Sequence, residues 1–310
     1  MFRIVEHRRW YFLLSLLIIV PGLIAMIYST ATVGRPFKVA IDFTGGAIWE
    51  LSFDQPILPT DLREIFVNAG LTDTDVTTVG DGKTAQVRLK PIDEDQKVAL
   101  MAAIKAKYGA NVSEVQFALV GPAIGSEVTQ AAILAVFAAS IAITIFLVIA
   151  FRKVPHPVRY GVSAVIGMVH DILVTLGIFS VLSILLGWEA DALLLTALLT
   201  VISFSVQDKI VVFDRIRENT AKYRGELFRV IVNRSLLETL HRSLATQLNA
   251  LFIMAALLIF GGATIRQFIA VMFIGLISGT YSSIFNAVPI LVSWEERDLL
   301  GTKNVGATSA

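Results

Sequence analysis

Two aspartates stand inside runs of apolar residues where a carboxylate has no short route to water. Asp208 lies in the run from Ala192 to Phe213, and Asp171 lies midway along the run from Gly161 to Leu186. An ionisable group at the centre of a bilayer costs roughly 2.5–3.5 kcal/mol on insertion scales, so a retained one needs a partner or a task. Asp208 precedes Asp214 by six residues. At the helical rise this is about 9 Å, too deep for so short a side chain to reach the interface. The chemistry open to Asp208 is reversible proton binding, and the plainer reading is a static pair or a neutral acid bonded to a neighbouring helix. Asp171 reads equally as a second proton carrier or as a hydrogen-bond anchor between helices, and His170 beside it reads as structural.

Arg242 opens a further apolar run and is followed at helical spacings by Ser243, Thr246, Gln247 and Asn249. The runs holding Asp208 and Arg242 are consecutive, hence antiparallel, which can bring the two to similar depth across 34 positions. A nearby cation favours the ionised carboxylate and dry surroundings favour the protonated one, so a movement that alters either binds or releases a proton. Arg242 can also hold a lipid phosphate. Lys209 projects about 100° away from Asp208 on a helix. It reads as a lysine whose stem runs to the interface.

Composition removes most other chemistries. Hydrophobic residues make up 55% of the 310 and charged residues only 16%. With a mean hydropathy of +0.72, membrane spans rather than soluble domains set the architecture. A net charge of +1 gives no field for nucleic acid. The absence of cysteine excludes disulfides, thiolate metal sites and cysteine nucleophiles, and the four histidines lack metal-ligand spacing. No phosphate-cradling loop and no hydrolase motif occurs. The expectation is a protein that is not an enzyme and needs neither metal nor cofactor.

The polar groups need helices to hold them at depth. Six apolar stretches approach the length that crosses a bilayer: about Tyr11–Tyr28, Ala131–Phe151, Gly161–Leu186, Ala192–Phe213, Ser243–Gly262 and Phe268–Trp294. Pro21-Gly22 predicts a kink in the first. Arg3, Arg8 and Arg9 before that run resemble the start of a secretory signal, but the run is long and its cleavage site weak, so it reads as a retained anchor. Arg152, Lys153 and Arg159 join the second and third stretches, and Arg215, Arg217, Lys222, Arg224, Arg229 and Arg234 join the fourth and fifth. The opposite connections carry Trp188, Glu189 and Asp191, and the single Arg266. Cation-rich loops stay inside, so both termini are expected in the cytoplasm. The stretch Gly225–Leu240 mixes Arg229 and Arg234 with apolar residues and predicts an amphipathic interfacial helix, with headgroups or a cytoplasmic partner as its contacts. Gly275, Ser278, Gly279, Ser282 and Ser283 predict close helix packing in the last span.

Between the first two spans lies Ala31–Thr129, with 13 acidic and 9 basic residues and no catalytic constellation. Its pattern predicts strand Ala47–Phe53, helix Thr60–Ala69, strands Asp75–Val79 and Thr84–Leu89, helix Asp93–Tyr108 and strand Asn111–Leu119, the βαββαβ order of a ferredoxin-like α+β domain. Gly80-Asp81-Gly82 marks the hairpin turn and Asp93 the cap of the second helix. The expected organisation is an N-terminus and first span over 1–30, an extracytoplasmic domain over 31–129, and a five-helix bundle over 130–294 with a basic cytoplasmic loop at 214–241. A cytoplasmic tail follows over 295–310.

Several strings then share an order. They are Ile41-Asp42-Phe43-Thr44-Gly45-Gly46, Val120-Gly121-Pro122-Ala123-Ile124-Gly125, His170-Asp171, and Val211-Val212-Phe213-Asp214-Arg215-Ile216-Arg217-Glu218-Asn219 after Asp208. Phe260-Gly261-Gly262 and Gly279-Thr280-Tyr281-Ser282-Ser283-Ile284-Phe285 follow. Over nearly the whole chain these resemble the SecF family, the smaller half of the SecD/SecF complex of protein export. The resemblance implies one half of an RND-like transporter in the cytoplasmic membrane. It implies SecD, the SecYEG translocon and preproteins as partners, and the proton motive force as the energy source. It also implies that Asp208 and Arg242 are the functional polar pair. Where the family has Asn-Asp-Thr or Asn-Asp-Ser, this chain has Gln207-Asp208-Lys209. Gln207 keeps an amide, and Lys209 adds a cation that would tune the aspartate or compete with Arg242. The competing function is a proton-coupled RND exporter of small molecules or lipids, which calls for an apolar pocket in the outer domain.

Overall fold

A computed structural model describes residues 3–79, 81–152 and 156–298. Gly80 of the expected turn, Lys153 of the second loop, the first two residues and the tail from 299 onward lie outside the described residues. In chain order the helices are α1 (Arg8–Val33), α2 (Ile41–Thr44), α3 (Pro59–Asn68), α4 (Glu94–Tyr108), α5 (Pro122–Ala150), α6 (Pro157–Leu186), α7 (Ala192–Lys222), α8 (Phe228–Phe260), α9 (Ala263–Ser282) and α10 (Val288–Glu296). Two compact units hold them: residues up to Lys38 with those from Leu134 onward, and Val39–Ile133 between.

Among the described residues six segments are long and apolar enough to cross a membrane: Val5–Val33, Ala123–Ala150, Pro157–Leu186, Ala192–Lys222, Phe228–Phe260 and Ile265–Glu296. Local chemistry sets their ends. Gly34 (φ 79°) closes α1 by donating its N–H to the Thr30 carbonyl, and the Asp191 carboxylate caps α7 by accepting from Leu194 N at 2.8 Å. α7 packs against α6, α8 and α9, with Val206, Val212, Phe213 and Ile216 in the shared core. Gly22 of α1 faces Gly177 of α6 so closely that a Cβ on Gly22 would lie 2.6 Å from Gly177 Cα, and α1 runs through Pro21 as one helix. The last span is broken: a π-helical turn, Ser283–Ala287, joins α9 to α10. Pro289 lies two residues on, after Val288, and the widened turn accommodates a residue with no N–H to return to the preceding turn.

The expected loop 214–241 is a correction, as is the separate interfacial helix at Gly225–Leu240. α7 continues to Lys222 and α8 starts at Phe228 and runs unbroken to Phe260. No glycine or proline interrupts 228–260, and Arg215, Arg217 and Arg234, read as loop residues, pair with Glu218 and Glu238, with Asp214 and with Glu226. Arg215 Nε lies 2.6 Å from Glu238 Oε2, and Asn219 Nδ2 donates to Ser235 Oγ at 2.9 Å and to Glu238 at 2.8 Å. At the same end of this unit Ile4 N donates to Asn233 Oδ1 at 2.9 Å, Arg8 lies 3.3 Å from Asp298 and 3.7 Å from Glu296, and Arg159 pairs with Glu295. The described parts of both termini and the basic hairpin therefore share one end.

The second unit carries strands β1 (Gly46–Ser52), β2 (Asp75–Val79), β3 (Thr84–Leu89) and β4 (Ser113–Val120), antiparallel in the order β2-β3-β1-β4. Alternation puts Ala47, Trp49 and Leu51 of β1 and Ala85, Val87 and Leu89 of β3 into one core with Leu62 and Phe66 of α3 and Leu100 and Ile104 of α4. Asp93 caps α4 in a capping box: Gln96 N donates to its carboxylate at 2.7 Å and Asp93 N to Gln96 Oε1 at 3.2 Å. The strings around 41–46 and 120–125, distant in sequence, meet here. A Cβ on Gly125 would lie 2.6 Å from Gly45 N, and Thr129 Oγ1 donates to the Phe43 carbonyl at 3.2 Å.

Candidate functional site

Four segments of the membrane unit converge on two carboxylates. Residues four apart share a helix face, so Ser205 and Lys209 point together from α7, as do Ser278 and Ser282 from α9. Both pairs reach Asp171 of α6. Its Oδ2 accepts from Ser205 Oγ and Ser282 Oγ, each at 2.6 Å, and from Lys209 Nζ at 3.1 Å. Its Oδ1 accepts from Ser278 Oγ at 2.8 Å and lies 3.0 Å from His170 Nδ1. Asp171 and Lys209 are fully buried. His170 in turn stacks on Tyr281, whose hydroxyl donates to the Tyr11 carbonyl at 2.7 Å.

Lys209 is the second correction. Instead of extending to the interface it lies fully buried, and its ammonium also donates to the Ser205 carbonyl at 3.3 Å and to Ser205 Oγ. The reason is a gap on α6: Gly167 has no side chain where the lysine stem passes, and a Cβ there would overlap Lys209 Cε. An ion pair in low dielectric persists when its remaining donors and acceptors are met, as they are here.

Asp208 has a different setting. It is buried, with Ser283 Oγ of the π turn at 3.3 Å and the side chains of Ser243 and Gln247 of α8 also acting on its carboxylate. It borders a cavity of about 50 Å³ lined by Phe204, Gln207, Val211, Arg242, Ser243, Thr246 and Gln247. About 10–15 Å³ suffices for one water, and the lining is polar enough to hold it. Arg242 is exposed and shares this cavity with Asp208, and among the described residues no ion pair within 4 Å joins the two. Ser243 and Gln247 of α8 are buried at the cavity, whereas Gln207, Thr246 and Asn249 are exposed. The structure thus groups Asp208, Gln207 and Arg242 at one site and Asp171 with Lys209 at a second, joined by Ser282 and Ser283.

The hydroxyls are what sequence reasoning missed. Ser278, Ser282 and Ser283 read as packing residues and Ser205 attracted no notice. The available signal was the spacing of four between Ser278 and Ser282, and between Ser205 and Lys209. Among the described residues no group of three or more histidine, aspartate or glutamate side chains could hold a metal.

Such an arrangement defines a class: a multi-pass membrane protein with two interlinked carboxylates buried in a helical bundle. Residues 100–297 match the family described as protein export membrane protein SecD/SecF, C-terminal. The chain is 46% identical to the protein translocase subunit SecF of Thermobaculum terrenum, over 97% of this chain and 96% of that one. It is 44% identical to the same subunit of Anaerolinea thermophila, over 95% of this chain and 94% of that one. The crystal structure of SecDF, a translocon-associated membrane protein from Thermus thermophilus, superposes with a TM-score of 0.80 at 30% identity, covering 96% of this chain and 39% of that chain. SecDF in the super-membrane-facing form gives a TM-score of 0.66 at 28% identity over the same shares, 96% and 39%. The chain belongs to the SecF family of protein translocase subunits. It spans about two fifths of the SecDF chains that it matches.

Proposed function

We propose that this chain is the SecF half of a SecD/SecF accessory complex that uses the proton motive force to assist preproteins across the cytoplasmic membrane, working beside the SecYEG channel. The carrying observation is Asp208: a membrane-buried carboxylate with no ion pair to Arg242 within 4 Å, held by Ser283 with the Ser243 and Gln247 side chains beside it, and set on a small polar cavity that it shares with Arg242. In this reading Asp208 takes up and releases the proton, Arg242 tunes it from across the cavity, and Gln207 contributes to the polar lining. SecD supplies the other half of an RND-like assembly, a reading supported by the 39% of the SecDF chain that this one covers.

The unit between the first two spans serves as an extracytoplasmic binding and lever element without catalysis of its own. Its βαββαβ order and its β2-β3-β1-β4 sheet support the ferredoxin-like assignment. The clustering of the basic hairpin with both described termini at one end supports their cytoplasmic placement, with lipid headgroups as further contacts. Affinity purification from native membranes tests the partnership: SecD and channel subunits co-purify with this chain if it holds, and their absence favours an independent transporter.

A further inference from the structure

We propose that Asp171 is a positioning residue and not a proton carrier: its carboxylate holds the Lys209 ammonium away from Asp208, leaving the neighbouring aspartate free to exchange its proton. The inference rests on the reading of Asp208 given above and concerns how that site is kept open.

The two carboxylates are bonded unequally. Asp171 accepts from Ser205, Ser278, Ser282 and Lys209 with His170 Nδ1 at 3.0 Å, fully buried, and borders none of the cavity beside Asp208. A group bonded on all sides by donors acts as an acceptor and has no position left for water to deliver a proton. Asp208 has the Ser283 hydroxyl at 3.3 Å, with Ser243 and Gln247 beside it, and faces the cavity. Lys209 is the link, because it follows Asp208 in the chain and lies within electrostatic range of it. An ammonium has three hydrogens, and here they go to Asp171 Oδ2, Ser205 O and Ser205 Oγ, all away from Asp208. Gly167 fixes that direction by leaving the path for the lysine stem clear on α6.

The charged or polar groups around Asp208 are Gln207 and Lys209 on its own helix, Arg242, Ser243, Thr246 and Gln247 on α8, Ser283 on the π turn, and Asp171 with His170 on α6. Without Asp171, Asp208 is the carboxylate remaining in this buried group, and an unpaired ammonium would turn to it. The carrier would then be locked as an ion pair. Removing both charges together would leave Asp208 free.

The test is an acid titration of the full chain in lipid vesicles, read by infrared difference spectroscopy of protonated carboxyl groups. Against the background of the other acidic residues, the wild type should give a carboxyl band that Asp208→Asn removes, and that band is the signal followed. Asp171→Asn should also lose it, while Asp171→Asn combined with Lys209→Met should restore it, although neither substitution touches Asp208. Lys209→Met alone leaves Asp171 without its cation, so it should take up a proton and raise the signal about twofold. These last two arms decide the matter even if Asp171→Asn fails to fold. A wild-type signal in Asp171→Asn, or a lost signal in the double variant, overturns the proposal while leaving Asp208 as carrier. A signal that survives Asp208→Asn refutes the carrier reading itself, and its loss in both variants lacking Asp171 would then name Asp171 as the carrier.

Discussion

Ser282 and Ser283 are neighbours in the chain yet serve different carboxylates: Ser282 Oγ donates to Asp171 at 2.6 Å and Ser283 Oγ to Asp208 at 3.3 Å. Neighbours on a helix project about 100° apart, and here the α-to-π transition falls between the two. Hydrogen bonds to charged groups contribute about 1.5–3 kcal/mol and ordinary ones about 1 kcal/mol. Ser282→Ala should therefore lower unfolding stability by about 1.5–3 kcal/mol. Ser283→Ala, with the longer bond, should cost about 1 kcal/mol or less. Thermal unfolding of the two variants in the same lipid or detergent checks the order.

Gly22 and Gly177 bring α1 and α6 into backbone contact. A Cβ on Gly22 would lie 2.6 Å from Gly177 Cα, and backbone cannot yield as a side chain can. Gly22→Ala should destabilise the membrane unit by about 1–3 kcal/mol through overpacking. Gly262→Ala is the control, since nothing lies within 4 Å of a Cβ there. Equal melting temperatures for the two variants would contradict the packing described.

In the outer unit Trp49 is fully buried, so Trp49→Ala should cost about 3–5 kcal/mol, against about 1 kcal/mol for Asp93→Ala at the capping box. Lys90 Nζ, 2.5 Å from Asp73, holds the Asp73 carboxyl below its ordinary value by a hydrogen bond and by its charge. For a depressed carboxylate the contribution is present above the ordinary value and fades as pH falls through the lowered one. Because the pair is solvent-exposed and screened, Asp73→Asn should leave the melting curve at neutral pH nearly unchanged.

Much of this was legible in the sequence. β2 and β3 fall at Asp75–Val79 and Thr84–Leu89 as the alternation requires, and Asp93 caps its helix as its position before the apolar pattern suggests. Asp208 stands out because a carboxylate in an apolar run is costly wherever the fold places it. The partner of Lys209 was not legible. It depends on the register of α6 against α7, which Gly167 permits, and no local pattern reports that register. Serines allow close packing and donate hydrogen bonds alike, so the role of Ser278 and Ser282 emerged only once α9 was seen against α6. The cations of 214–241 suggested a loop because charge density was weighed over helical continuity. The Arg215–Glu238 pairing shows why the helices continue.

Topology can be tested in a chain without cysteine. Asp73→Cys and Lys222→Cys, both at exposed positions, should react with an impermeant thiol reagent from opposite sides of the membrane. Labelling of both from outside the cell would rule out the six-span arrangement.

In the function proposed, Asp208 carries the proton that assists export. A proton crossing 100 mV carries about 2.3 kcal/mol, enough to shift a fully coupled two-state population about fiftyfold. Asp208→Asn removes the exchangeable group with little change of shape, while Arg242→Lys keeps the charge but loses the planar fork and should retain part of the activity. The direct measurement is preprotein translocation into membrane vesicles with and without a proton gradient, with SecD and the channel at matched levels. Asp208→Asn should assemble normally and lose the stimulation by the gradient. Unchanged stimulation in that variant would contradict the carrier role of Asp208.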